Sequence, residues 1–298
     1  MELYQIQCIK KIAESKSMSQ AALSLNISQP SLSRTLKNLE DELGVVLFER
    51  SGRKLILNEK GRLFCHYADQ VLELVDRMSI DLSEKSPQAS HTLNIAMLHS
   101  NQLLPKLITE FSGLYPHIRI NLQRFVTMKE IADDCDFIIH ASNQALPPSS
   151  RSILLLEEEC LLGMSRTHAL ASCEELSPEE LVQQPFISMN PANSLGALLT
   201  ESFASIGIAP MIVLQCDSQI TVSSLISQGI GIALFPTITW SVESEHIVLK
   251  RIREKKIIRT LYLTQASPVQ NKDTFAFKDF VTDFFRARRL PPALTPSP

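Results

Sequence analysis

The sequence contains no uninterrupted apolar run of the length a membrane-crossing helix needs, about 20 residues, so a helical membrane span is excluded. Met1 leads into Glu2 and a polar-interrupted segment, without the basic stretch and apolar core of an export signal, which predicts neither secretion nor a membrane partner. Cys8, Cys65, Cys135, Cys160, Cys173 and Cys216 include no short-spaced pair, which leaves out a disulfide scaffold and a structural zinc site and suits a reducing cytoplasm. An excess of positive charge is lacking too. With a formal net charge of -3, any affinity for nucleic acid has to come from a local basic surface. There is no HExxH, no GxSxG and no cluster of His, Cys and Asp, so no catalytic residue, metal or cofactor is expected and an enzyme is disfavoured.

What is present is an ordinary globular composition. At 298 residues, 44% apolar and 20% charged, the chain has enough material for two domains, or three small ones.

The first sixty residues carry a helical pattern. Leu3, Ile6, Ile9, Ile12 and Ala13 recur at helical spacing and predict a first helix ending near Glu14 to Ser17. Ser19 reads as the N-cap of a short second helix from Gln20 to Leu25, whose small Ala21 and Ala22 allow close approach of a neighbour. Asn26 and Ile27 make a tight turn. Ser28 caps a third helix with Pro30 in its first turn, where the missing N–H costs nothing. On that helix Leu32, Leu36, Leu39 and Leu43 form a stripe expected to be buried, while Gln29, Pro30, Ser33, Arg34 and Lys37 share the opposite face. A helix-turn-helix needs this division, because its second helix has to pack on its partners and also present groups to base edges and phosphates.

After Gly44 come the apolar run Val45 to Phe48, the polar Glu49 to Lys54, and the alternating Leu55, Ile56 and Leu57. This predicts a β-hairpin with a basic tip at Gly52, a wing laying Arg50, Arg53 and Lys54 along the DNA backbone. Taken singly, Ser28 to Gly44 also suits a solvated amphipathic helix, and the arginines also suit a soluble turn.

The ordered set resolves that ambiguity. Ala21-Ala22, Leu25, Ser28-Gln29-Pro30-Ser31-Leu32-Ser33-Arg34, Leu39-Glu40, Leu43-Gly44, Leu47-Phe48-Glu49-Arg50, Arg53, Leu57 and Gly61 together resemble the N-terminal domain of LysR-type transcriptional regulators. Asn58 stands where that family usually has Thr, and Asn caps a helix equally well. The resemblance implies that Gln29, Pro30, Ser33 and Arg34 face bases or nearby phosphates while Ser19, Arg50 and Arg53 hold the backbone. Gln20, Ser28, Lys37 and Lys54 complete the expected DNA-facing set. Double-stranded promoter DNA is the implied partner, with RNA polymerase beside it.

From Glu59 to about Lys85 there is no proline, which allows one linker helix. Phe64, Ala68, Val71, Val75, Met78 and Leu82 are spaced as a coiled-coil seam, and the simplest partner for it is a second copy. Packing on the chain's own C-terminal part is the alternative. LysR-type regulators dimerise through this helix, so the resemblance implies a homodimer, or a homotetramer built from two.

Ser86 to Ser90 reads as a hinge. Beyond it strands and helices alternate: strand Leu93 to Leu98, helix Leu103 to Leu114, strands Ile118 to Phe125 and Phe137 to His140. A second set follows: strands Cys160 to Met164 and Phe186 to Met189, a helix near Leu195 to Ser205, strand Ile212 to Cys216, a helix near Ser218 to Gln228, and strand Ile232 to Phe235. This order predicts parallel sheet with right-handed crossovers. A last helix, Lys272 to Arg286, sets Phe277, Val281 and Phe284 on one face beside Phe280. The glycines of Gly229-Ile230-Gly231 read as packing and turn residues, since no phosphate-loop pattern accompanies them.

Leu103-Leu104-Pro105, Phe111, Tyr115-Pro116 and Gly229-Ile230-Gly231 resemble, more loosely, the LysR effector-binding domain, which is similar to type-2 periplasmic binding proteins. The fold expected is therefore α+β overall: a winged helix-turn-helix at 1–58, a linker helix at 59–86, a hinge at 87–90 and a two-lobed Rossmann-like α/β domain at 91–290. Its first lobe takes about 91–160 and 265–290, its second about 161–264, and a tail covers 291–298. In such sheets ligands sit beyond the strand C-termini, against helix N-termini that favour anions. Ser100, Asn101, Gln102, Thr127, Asn190 and Ser194 are the candidate contacts for a small, anionic co-inducer, with Phe235 as a wall; each also suits a plain cap or loop residue. The connection between Phe125 and Phe137 is shorter than is usual in the family, which bears on Thr127. His99 lies beside this cleft. A thiol-based redox sensor of the same fold, pairing Cys160 with Cys173, and a solute-binding protein without DNA are the rival readings.

Overall fold

The computed structural model describes residues 1–15, 17–51, 54–82, 92–98, 102–125, 127–131, 134–144, 146, 151–240, 245–267 and 271–287, without the side chains of Arg50, Ser51, Lys54 and Asp81. The hinge at 87–90, the tail at 291–298, His99, Ser100, Asn101, Gly52 and Arg53 therefore lie outside the described residues. The chain divides into two compact units, one built on residues 1–85 and one chiefly on those that follow.

In the first unit α1 (Leu3–Glu14), α2 (Met18–Ser24) and α3 (Gln29–Leu43) precede a hairpin of β1 (Phe48–Ser51) and β2 (Lys54–Leu57), and α4 (Glu59–Leu82) closes it. Cys8, Ile9, Ile12, Ala21, Ala22, Leu32, Leu36, Leu39, Leu47 and Phe48 form its core. Ser17, not Ser19, caps α2, its hydroxyl accepting from Gln20 N at 3.2 Å, so the helix starts earlier than the sequence suggests. Asn26 takes a left-handed φ of 54° in the turn, a conformation that Asn tolerates well. Ser28 caps α3 as expected, with Pro30 in the first turn, and Gly44 ends the helix at φ 68°. Leu43 departs from the expected stripe. It is 38% exposed, because the chain turns away at Gly44 and the core beneath α3 ends at Leu39.

The hairpin pairs Phe48 with Leu57 and Ser51 with Lys54. Three contacts fix it. The Glu40 carboxylate accepts from Leu47 N at 2.6 Å and Phe48 N at 3.4 Å, tying the end of α3 to the first wing strand. Asn58 donates through Nδ2 to Val46 O at 2.8 Å and accepts from Gly61 N at 2.8 Å, capping α4. Gly61 faces the Leu47 carbonyl so closely that a Cβ there would lie 2.1 Å from its oxygen. The expected continuation of α4 past Leu82 lies outside the described residues.

The second unit contains β3 (Thr92–Met97), α5 (Leu103–Leu114), β4 (Arg119–Arg124), a 3-10 turn (Met128–Glu130), β5 (Phe137–Ser142) and the long β6 (Ser152–Ser165). Next come β7 (Glu175–Leu176), α6 (Pro178–Leu181), β8 (Pro185–Met189), α7 (Ser194–Ala204), β9 (Met211–Cys216) and α8 (Gln219–Ser227). The unit ends with β10 (Ala233–Pro236), β11 (Ile247–Ile252), β12 (Ile257–Gln265) and α9 (Lys272–Arg286). The strand order is β4-β3-β5-β12-β6-β11-β7, with β10 added on β6, while β8 and β9 pair separately. β3 runs parallel to both β4 and β5, and β8 runs parallel to β9, as the alternation of strand and helix predicts.

Two cores result. The first joins Leu93 and Ile95 of β3, Leu107 and Phe111 of α5, Leu261 and Leu263 of β12, and Phe277, Val281 and Phe284 of α9. The second joins Leu162 and Met164 of β6, Phe186 of β8, Phe203 of α7, Val222 and Ile226 of α8, and Phe235 of β10. β6 passes from one to the other, with Leu155 and Leu156 in the first and Cys160 in the second, and β12 passes back. Two crossing strands between two cores make the two-lobed plan expected of this region.

Candidate nucleic-acid interface and effector module

The exposed face of α3 follows from its helical period. With Leu32, Leu36 and Leu39 turned inward, Ser28, Gln29, Pro30, Ser33, Arg34 and Lys37 are all exposed. Ser19 and Gln20 of α2 are exposed as well, and the Ser19 hydroxyl donates to Gln29 Oε1 at 2.9 Å. Neither Arg34 nor Lys37 has an ion-pair or hydrogen-bond partner among the described residues, so both guanidinium and ammonium face solvent. Arg50 and Lys54 lie on β1 and β2, but their side chains, like Arg53, are outside the described residues. Glu40 and Gly61, the residues that lock the wing to α3 and α4, belong to the sequence pattern without having been assigned a role. The signal was their fixed place in it.

On α4 the expected seam is partly displaced. Phe64 packs against the core of its own unit and Ala68 is buried, whereas Val71, Met78 and Leu82 are exposed. The apolar line that reaches solvent is Leu63, Tyr67, Val71, Leu74, Met78 and Leu82. It shares Val71, Met78 and Leu82 with the expected seam and replaces Phe64, Ala68 and Val75 by the preceding residues Leu63, Tyr67 and Leu74; at its start the hairpin and α1 occupy the Phe64 face. Leu63, Tyr67 and Val71 of this line border a groove with Met1, Leu43 and Val45. Beneath it Lys10 of α1 pairs with the buried Asp69 of α4.

In the second unit Gln102, Thr127 and Asn190 bond residues outside the candidate effector set. Gln102 opens α5, donating through its backbone N–H to Thr239 O at 2.9 Å and through Nε2 to Ile238 O at 2.8 Å. Thr127 opens the 3-10 turn and its hydroxyl donates to Glu130 Oε1 at 3.0 Å. Asn190 joins the ends of β8 and β9, its N–H bonding Cys216 O at 3.0 Å. Asn193 caps α7, so Ser194 is its first helical residue. Phe235 is not a cleft wall. All four residues of β10 are buried, and the Phe235 ring packs edge-on against Trp240 at 5.1 Å within the second core. Arg124, at the end of β4, was not singled out from sequence; it donates to Asp217 O at 2.6 Å, bridging the strand ends of the two lobes.

The described residues hold no group of three or more His, Cys, Asp or Glu placed to bind a metal ion, and no helix long and apolar enough to cross a membrane. The cysteines are free. Burial pushes the Cys65 thiol up to about 11 and raises Cys8, Cys135, Cys160 and Cys216 as well, which keeps these thiols protonated near neutral pH. Cys160 and Cys173 both pack on the second core.

Residues 3–62 match the family model described as "Bacterial regulatory helix-turn-helix protein, lysR family", and residues 86–286 match "LysR substrate binding domain". Among curated relatives, a probable RuBisCO transcriptional regulator of Thalassiosira pseudonana is 27% identical, with 95% of each chain covered. The regulator BenM of Acinetobacter baylyi is 26% identical, over 88% of this chain and 89% of its own length. The crystal structure of full-length BenM superimposes with a TM-score of 0.57 at 23% identity, covering 98% of this chain and 100% of that one.

Proposed function

This chain belongs to the LysR family of helix-turn-helix transcriptional regulators, and from that premise we propose how its parts divide the work. α3 enters the major groove, where Gln29, Ser33 and Arg34 meet base edges, with Pro30 and Ser28 at its entry. Ser19, Gln20, Lys37 and the wing residues Arg50, Arg53 and Lys54 hold phosphates on either side. Two copies join along the apolar line of α4 and place two reading helices on a roughly palindromic promoter site, and two such dimers make the tetramer. The second unit takes a small, anionic organic co-inducer at its strand C-termini, near Gln102, Thr127, Asn190 and Ser194, with Ser100 and Asn101 in the same connection. Differential affinity of that ligand for two states of the assembly shifts promoter binding and the encounter with RNA polymerase. The protein acts in the cytoplasm.

The observation that carries this reading is the division of α3 into a buried leucine stripe and an exposed face of Gln29, Ser33, Arg34 and Lys37. Selection of genomic fragments by the purified full-length protein tests it. Enrichment of a small set of intergenic fragments is expected; uniform recovery of all fragments at low salt contradicts it.

A further inference from the structure

The two strands that cross between the lobes each carry one buried charge, at the point where the strand leaves one core for the other. On β6, Glu158 lies between Leu156 of the first core and Cys160 of the second; on β12, Arg259 lies between Ile257 of the second and Leu261 of the first. Both are almost wholly buried, at 2% and 1% exposure. Arg259 Nη1 stands 4.0 Å from Glu158 Oε1, and Arg259 Nε has no hydrogen-bond partner. Burying such a pair costs desolvation that an apolar pair of the same size would not.

The carboxylate is engaged elsewhere. Glu158 Oε2 accepts from Ile238 N at 3.1 Å and Thr239 N at 2.8 Å, and Oε1 accepts from the Thr239 hydroxyl at 2.8 Å. The carbonyls of the same two residues, Ile238 and Thr239, accept both hydrogen bonds from Gln102, the residue that opens α5. The side chains of this segment also straddle the boundary, Ile238 packing on the first core and Trp240 lying in the second. One short segment thus has its N–H groups held by Glu158 of β6 and its carbonyls held by Gln102 at the start of α5.

We propose that Glu158 is a positioning residue of the effector response, with Arg259 acting through its carboxylate: Glu158 sets the 238–239 segment, and through it the start of α5, so that movement between the lobes and the geometry at Gln102 are one coupled change. This rests on the reading of the second unit as an effector-binding module. The segment is a shared element that both ends bias, and coupling through it is reciprocal.

Hydrogen–deuterium exchange of the full-length protein without any effector tests this, in two variants. Glu158→Gln/Arg259→Met removes both charges together and so avoids stranding one of them. In it the amides of Ile238, Thr239 and Gln102 should all exchange faster, by about tenfold, with exchange in α3 unchanged. Gln102→Ala, at an exposed position, should speed exchange at Ile238 and Thr239 although Glu158 is intact. Faster exchange confined to 238–239 in the double variant, with Gln102 at its wild-type rate, overturns the proposal. So does an unchanged 238–239 segment in Gln102→Ala, which decides the matter even where the double variant fails to fold. Because no ligand is present, neither outcome depends on whether the cleft binds an organic acid, which thermal-shift titration with small carboxylic acids measures separately.

Discussion

The Ser19 hydroxyl on α2 donates to Oε1 of Gln29 at the first position of α3, 2.9 Å away. Both residues are exposed, so this bond does little for the core and much for orientation. It holds the Gln29 carboxamide in one direction, with its NH2 group left to meet an acceptor on DNA. Replacing Ser19 with Ala frees that side chain. The expected loss is about 0.5–1.5 kcal/mol of specific binding with no change in melting temperature, read by competition gel shift.

Lys37 lies on the same face, two helical steps further along, and is expected to meet phosphate, not bases. Lys37→Ala should weaken binding to every duplex alike and lower the slope of log K against log salt by about one. A loss confined to the specific site would place it on a base instead.

The wing depends on close backbone approach. Gly61→Ala puts a Cβ 2.1 Å from Leu47 O, and the neighbour is backbone that has little room to give. A destabilisation of about 1–3 kcal/mol in the first unit is expected. Glu40→Ala, which leaves the N–H groups of Leu47 and Phe48 without their carboxylate, should cost a similar amount by the same denaturation experiment.

Dimerisation should follow the exposed line of α4, not the buried one. Leu74, 68% exposed, can take Glu without disturbing its own unit, so Leu74→Glu is expected to yield a folded monomer in sedimentation velocity. Ala68→Glu, at 3% exposure, should instead unfold the first unit.

Acid should loosen the second unit. His140 bonds Thr264 Oγ1 through Nε2 at 2.8 Å, and burial lowers its pKa from the usual 6.5. The unfolded chain therefore takes up a proton near pH 6.5 that the folded one resists, and stability falls as the pH drops from there through the depressed value. His140→Gln should flatten this part of the stability profile.

The helix-turn-helix was legible because its signals are local. Ser28, Pro30 and Gly44 mark the ends of α3 directly, and the leucine period marks its buried face. The cap of α2 was displaced from Ser19 to Ser17, since two serines two residues apart offer the same hydroxyl. On α4 a spacing of three and four fits two adjacent lines equally well, and only the packing of Phe64 under the hairpin separates them. In the second unit the parallel strands were readable, but β11 and β12 were not. Lys250, Arg251 and the buried Arg259 interrupt their apolar runs, and β12 finds its place between β6 and β5, the latter more than a hundred residues earlier in the chain. Phe235 was misplaced for a related reason: sequence marks it as apolar at a strand end, whereas which layer covers it is decided by Trp240 and the second core.

The most direct test concerns Arg34. Affinities of the wild type and of Arg34→Ala for a selected genomic fragment and for an unrelated duplex are to be compared at one fixed salt concentration. A loss of about 1–3 kcal/mol on the selected fragment, with the unrelated duplex little changed, is the result predicted for an arginine reading a base. Equal affinity of both proteins for the selected fragment would contradict the placement of α3 in the major groove.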